Sequence, residues 1–292
     1  MRLAAVFTLL AFGLVNAPAV FAQSTISDRP WELTSTRGAW GIFLPDYELG
    51  ENGSSSAFSD DMDGVGYFSD FKVVRRFLGT RTSFESNMFF GVARLKSESA
   101  AGSINVPDPA TGSVDSFSGT RTKLKSDVNH YGIDLTLRDT WRTRFGGLSA
   151  GCSASYMAFD QKFDADYDSI QVLREKLYTD YLGGKAVFGW DGCFKGRASN
   201  LDLMIGYFDM DTDYRFIGQA VSGSDRQKFS KNAATVETYF TTRTFFHGYQ
   251  IGWKVGAMYI SDMPVIRHTA SQRASIDTED AVTFSGLIEI LL

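Results

Sequence analysis

The chain has 292 residues, with 29 Lys and Arg against 34 Asp and Glu and a formal net charge of −5, so nothing in its charge points to nucleic acid as a partner. Aromatics make up 14%, with 28 Gly and only 6 Pro, and beyond the first residues no run of about 18 apolar residues occurs, which excludes a helical membrane protein.

Arg2 is followed by the apolar run Leu3 to Val15 and then by Val20-Phe21-Ala22 before Gln23. That order of charge, short apolar run and small residues is expected of a cleaved secretory signal over residues 1–22. No Cys follows the cleavage point, so lipoprotein processing is not expected. Residues 23–292 contain no stretch that reads as a linker and are taken as one domain.

The useful signal in this domain is alternation with a period of two. Tyr131, Ile133, Leu135 and Leu137 alternate with His130, Gly132, Asp134, Thr136 and Arg138. Leu201, Leu203, Ile205 and Tyr207 do so against Asp202, Met204, Gly206 and Phe208. Ile251, Trp253, Val255, Ala257 and Tyr259 alternate with Gly252, Lys254, Gly256 and Met258. The last segment sets Val282, Phe284, Gly286, Ile288, Ile290 and Leu292 against Thr283, Ser285, Leu287 and Glu289.

The template predicts ten strands, at about 37 to 46, 63 to 77, 83 to 98, 123 to 138, 147 to 163, 177 to 190, 199 to 213, 229 to 245, 249 to 260 and 279 to 292. Their connections alternate in length. Short ones run over 78–82, 139–146, 191–198 and 246–248, and long ones over 47–62, 99–122, 164–176, 214–228 and 261–278. Short turns at one end and long loops at the other are expected of a barrel threaded through a membrane from one side, with an even strand count. Eight or twelve strands are the neighbouring solutions, and Trp31 to Trp40 has a second reading as a lead-in segment.

A soluble sandwich or lipocalin-like barrel also alternates, but with its apolar face inward. The length of the segments, the charges on the face assigned to the inside, and the aromatics near segment ends favour the membrane alternative. Those aromatics are Tyr67, Tyr156, Tyr178, Tyr181, Trp190, Tyr207, Tyr239, Trp253 and Tyr259.

The signal segment, the long amphipathic hairpins and the alternating apolar C-terminal strand together resemble the Gram-negative outer-membrane β-barrel superfamily, over essentially the whole mature chain. The last residues, Ile290-Leu291-Leu292, depart from the terminal aromatic usual in that superfamily. The resemblance implies an all-β, closed up-and-down antiparallel transmembrane barrel in the cell outer membrane. Outer-membrane lipid, lipopolysaccharide and the barrel-assembly machinery are the implied partners, and no cofactor is implied.

Assigning phases places Lys72, Arg76, Arg138, Lys185, Arg243 and Lys254 on the inner face with Asp70, Glu85, Asp134, Asp202, Glu237 and Glu289. Two functional readings follow. One is porin-like passive passage of ions or small solutes through a narrow charged lumen. The other is a barrel plugged by its own ion pairs that displays external loops as a structural or interaction protein.

Catalysis is not expected, because none of the three histidines has an adjacent Ser or Asp in a recognisable motif. His247 falls in a short turn, His268 in a long loop and His130 on the inner phase. His268 with Asp262, and Asp209, Asp211 and Asp213, form the one set suggestive of an omptin-like acid and base group; a solvated strand end is the alternative for the aspartates. The Asp60-Asp61-Met62-Asp63-Gly64 run is read as a solvated acidic loop or a divalent bridge to lipopolysaccharide, since it lacks EF-hand spacing. Cys152 and Cys193 are candidates for a disulfide whose formation geometry decides.

Overall fold

The computed structural model describes residues 30–52, 55–100, 103–107, 114–118, 121–168, 170–218, 224–247, 249–268 and 274–291, so the signal segment lies outside the described residues. Twelve strands follow one another: β1 Trp31–Asn52, β2 Ser55–Arg76, β3 Thr82–Ala100, β4 Ser103–Pro107, β5 Val114–Ser118, β6 Arg121–Thr143, β7 Gly146–Tyr167, β8 Ile170–Phe194, β9 Arg197–Gly218, β10 Ser224–Phe246, β11 Tyr249–Arg267 and β12 Ser275–Leu291. Ten of them pair with their neighbours in antiparallel order, and β12 closes onto β1 from Thr34↔Leu291 to Phe43↔Val282. The ring is therefore a closed ten-stranded antiparallel barrel. The small β4–β5 hairpin lies in the connection between β3 and β6 and touches the barrel through Glu51↔Asn105.

The count of ten agrees with the sequence pattern, but the strands are longer than expected. The expected first strand, 37–46, is part of a 22-residue strand, and the expected 177–190 is part of a 25-residue one. Most of the expected long loops are sheet, and the Asp60–Gly64 run lies within β2 rather than in a loop. A bilayer core needs only about 9–11 tilted residues per strand, and 25 residues extend roughly 80 Å. About half of each hairpin therefore stands beyond the length a bilayer would cover.

At the opposite end the hairpins close tightly. Lys195 and Gly196 both adopt positive φ, 51° and 78°, the pair of values that a two-residue type I′ turn requires. The outer wall near this end is apolar: Leu182 is 65% exposed, Trp253 58% and Leu137 51%. Such a continuous exposed apolar surface is not sustained in water.

Cys152 and Cys193 are both free, so the possible disulfide is not formed. Cys152 points outward from β7 and has no partner there.

Candidate functional site: the barrel interior

Because side chains alternate along each strand, the sheet places one phase in the enclosed interior. All eleven of Lys72, Arg76, Glu85, Asp134, Arg138, Lys185, Asp202, Glu237, Arg243, Lys254 and Glu289 point inward in the half nearest the turns, and so does Asp70. They form pairs that link strands distant in sequence. Lys254 meets Asp70 at 2.7 Å, and Arg243 meets Glu289 at 2.5 Å. Lys72 lies 2.7 Å from Glu85, and Arg138 bridges Glu85 and Asp202 at 3.3 and 2.7 Å. Lys185, the deepest, sits between Asp134 and Glu237 at 2.9 and 2.8 Å. Arg76 pairs with Glu32, which lies ahead of the first strand expected from the sequence. Buried charges persist only when each has such a partner.

Exposure falls with depth. The Arg76 and Lys72 side chains are 32% and 30% exposed, and Lys185 is 2%. The charged half thus opens toward the turns and narrows to a cavity of about 80 Å³. At roughly 10–15 Å³ per water-sized site, that is room for a few waters.

Above the cavity the interior changes character. Trp40, Phe68, Phe89, His130, Phe159, Tyr181 and Phe208 project from β1, β2, β3, β6, β7, β8 and β9 and touch ring to ring. His130 stacks on Phe159 with centroids 4.1 Å apart and lies 5.0 Å from Phe89. Its Nδ1 is 3.2 Å from the Ala158 carbonyl, so Nδ1 carries the proton that it donates. Gly91 makes room for this layer, since a Cβ there would come within 2.8 Å of the Trp40 ring. On the far side, Met258 and Ile260 of β11 are buried, and the Tyr181 hydroxyl reaches Met263 Sδ at 3.3 Å. The rings form a diaphragm across the barrel.

From there to the loop end the interior is a largely apolar core containing Leu44, Leu95, Leu124, Phe163, Leu177 and Phe216. A carboxylate and an imidazole are enclosed in it together. Glu175, on the inner face of β8 beyond the apolar band, accepts hydrogen bonds from the Tyr47 and Tyr214 hydroxyls, and His268 Nε2 lies 2.8 Å from its Oε1. Burial raises the Glu175 carboxyl, but the His268 charge and the donated hydrogen bonds outweigh it and hold it below its ordinary value. Burial and the adjacent carboxylate push Tyr47 and Tyr214 up.

The acid and base set weighed from the sequence is not assembled. Asp209, Asp211 and Asp213 are on the outward phase of β9, with Asp211 accepting from Ser230 and Asp213 pairing with Arg226 at 2.5 Å. Asp262 pairs with Lys231 at 2.6 Å, while His268 turns inward to Glu175. His247 is exposed in its turn.

The diaphragm escaped the sequence reading although its signal was present. Along β9 the apolar phase is odd from Leu201 to Tyr207 and even from Phe208 to Phe216, where Asp209, Asp211, Asp213 and Arg215 take the outside. In β7 the same inversion falls between Tyr156 and Met157.

No family model matches the sequence, and no curated protein matches it. Among solved structures, the chain is similar to the outer membrane protease OmpT of Escherichia coli, with a TM-score of 0.52 at 9% identity over 92% of this chain and 99% of that one. It also matches the outer membrane protein OprG of Pseudomonas aeruginosa, with a TM-score of 0.36 at 11% identity over 89% and 95%. A deletion mutant of the monoaromatic hydrocarbon channel TodX gives 0.33 at 7% identity over 92% of each chain. The fold is that of outer-membrane β-barrels, and these likenesses single out no family among them.

Proposed function

We propose that this chain is an outer-membrane barrel with a closed lumen, a structural or interaction protein that holds a rigid β-extension and its loops above the membrane. The observation that carries this reading is the diaphragm from Trp40 to Phe208, backed by an apolar core on one side and paired charges on the other. An ion on this path would have to shed its hydration among packed apolar side chains, at a cost far above thermal energy. In this reading the turns and both termini face the periplasm, lipid covers the apolar band, and lipopolysaccharide and the barrel-assembly machinery are the expected partners. Catalysis has no part in it, because His130 is stacked among rings, His268 is enclosed against Glu175, and the Asp209, Asp211 and Asp213 carboxylates face outward, away from both.

Porin-like passage is the second reading, favoured by the charged cavity below the diaphragm. A planar bilayer separates the two. The purified barrel is expected to be electrically silent, and discrete, salt-dependent conductance steps from the wild-type protein would replace this proposal with the second reading.

A further inference from the structure

The turn end of the barrel carries an unusual concentration of unpaired cations. Arg75 and Arg81 flank the β2–β3 turn, Arg142 and Arg144 the β6–β7 turn, and Lys195 and Arg197 the β8–β9 turn. All six are exposed, and none has an acidic partner within ion-pair distance among the described residues. These turns belong to six consecutive strands of the ring, so the cations share one arc. Neighbouring hairpins in the arc are tied together. The Thr140 amide donates to the Arg81 carbonyl at 3.0 Å, and Trp190 Nε1 donates to the Phe145 carbonyl at 3.0 Å. The fourth turn, beyond the arc, has Phe245 and His247 in place of Arg or Lys.

The cations are interleaved with aromatics at the edge of the apolar band. Arg75 lies 5.1 Å from the Trp31 ring centroid and 5.6 Å from that of Phe77. Arg144 lies 4.5 Å from Phe145, and Lys195 lies 5.5 Å from Phe194. Phe145 and Leu78 are 65% and 80% exposed. Aromatics settle at the boundary between hydrocarbon and headgroups, so cations stacked on them stand at the level of lipid phosphates. The outward face beyond the other edge of the band differs, since its cations are largely paired with acids there: Lys162 and Arg174 with Asp164, Arg215 and Arg226 with Asp213, and Lys231 with Asp262. Within the arc, Asp139 and the half-buried Asp191 are the acidic residues.

We propose that this arc binds the phosphates of anionic phospholipids in the periplasmic leaflet and thereby fixes the depth and tilt of the barrel. The proposal rests on the membrane reading above and goes beyond it by naming the lipid class and the residues. Cations near an anionic surface are each worth about 1 kcal/mol, or roughly fivefold in binding. Several of them acting together enrich such lipids even where the individual contacts are weak.

The test uses the full mature barrel, folded into phosphatidylcholine vesicles with and without phosphatidylglycerol, extracted gently and examined by native mass spectrometry for retained lipid. Arg81→Gln, Arg142→Gln, Arg144→Gln, Lys195→Asn and Arg197→Gln are combined in one variant; Asn is chosen at 195 because it tolerates positive φ. The control removes equal charge at the loop end through Lys96→Gln, Lys123→Gln, Lys176→Gln, Lys228→Gln and Lys231→Gln. Wild type and control are expected to retain phosphatidylglycerol over phosphatidylcholine, and the turn variant to lose that preference at least tenfold. Equal retention of both lipids, an unchanged turn variant, or competition by soluble glycerol phosphate as effective as by lipid overturns the proposal. A barrel that inserts but shows no preference overturns this inference alone. A barrel that enters neither vesicle overturns the membrane reading as well.

Discussion

The two halves of the barrel solve opposite problems with the same ten strands. Toward the turns the wall is apolar outside and charged inside, with Leu182, Ile205 and Trp253 facing out while Lys185, Asp202 and Lys254 face in. Toward the loops the arrangement reverses, and Leu177, Met210 and Ile260 are enclosed while Asp180, Asp211 and Asp262 face out. The first half is built for a surrounding solvent of hydrocarbon and the second for water. The diaphragm marks the crossover on the inside, and Tyr131, Tyr156 and Tyr207 mark it on the outside. What a side chain costs at a given phase depends on which solvent lies across the wall, so neither rule holds for a whole strand.

The largest effect is expected where the two halves meet. Trp40→Ala with Phe159→Ala removes two fully buried rings, and each truncation is expected to cost about 3–5 kcal/mol through lost burial and an unfilled cavity. Urea unfolding from lipid vesicles measures this, and a combined loss below the single-site value would mean that the layer is not packed.

In the charged half, Lys185→Met strands Asp134 and Glu237 in a nearly dry site and is expected to destabilise by about 3–5 kcal/mol. Adding Asp134→Asn and Glu237→Gln should recover much of that loss. No recovery in the triple variant would show that the lysine acts through its stem and not its charge.

In the loop-side half, Glu175→Gln weakens hydrogen bonds to a charged acceptor and is expected to cost about 2 kcal/mol near neutral pH. The Glu175 carboxyl is held below its ordinary value in the folded protein. Its contribution is therefore present above the unfolded-state value and is lost as pH falls through the depressed one. Unfolding curves of wild type and variant should converge as acidification proceeds below the ordinary carboxylate range, and a constant gap between them would remove Glu175 from the acid limb.

The smallest effect is expected at the mouth. There Arg76→Gln breaks a pair whose cation is about one-third exposed, and the loss should stay below about 1 kcal/mol. A loss as large as that for Lys185 would mean that the mouth is as dry as the interior.

Much of this was legible in the residues. Tyr131 to Leu137 against Asp134 and Arg138 fixed the phase of β6, and similar runs fixed the other strands, because lipid outside and polarity inside leave a period-two record. The expected lengths fell short because the template demands an apolar outer phase, and that phase ends where the strand leaves the apolar band. β9 continues for eleven residues past Tyr207 with Asp and Arg on its outer face, which reads locally as a loop. The pairing of His268 with Glu175 left no local mark, since 93 positions separate them in the chain.

By itself the sequence determined the strand count, the inward set of charges and the end at which the turns close, because each is written in alternation and spacing along one strand. Only the tertiary structure decided which charges pair, that seven rings from seven strands meet across the interior, and that Glu175 is enclosed. Those contacts exist only once the sheet closes on itself, since closure brings residues far apart in the chain to the same depth of one enclosed space.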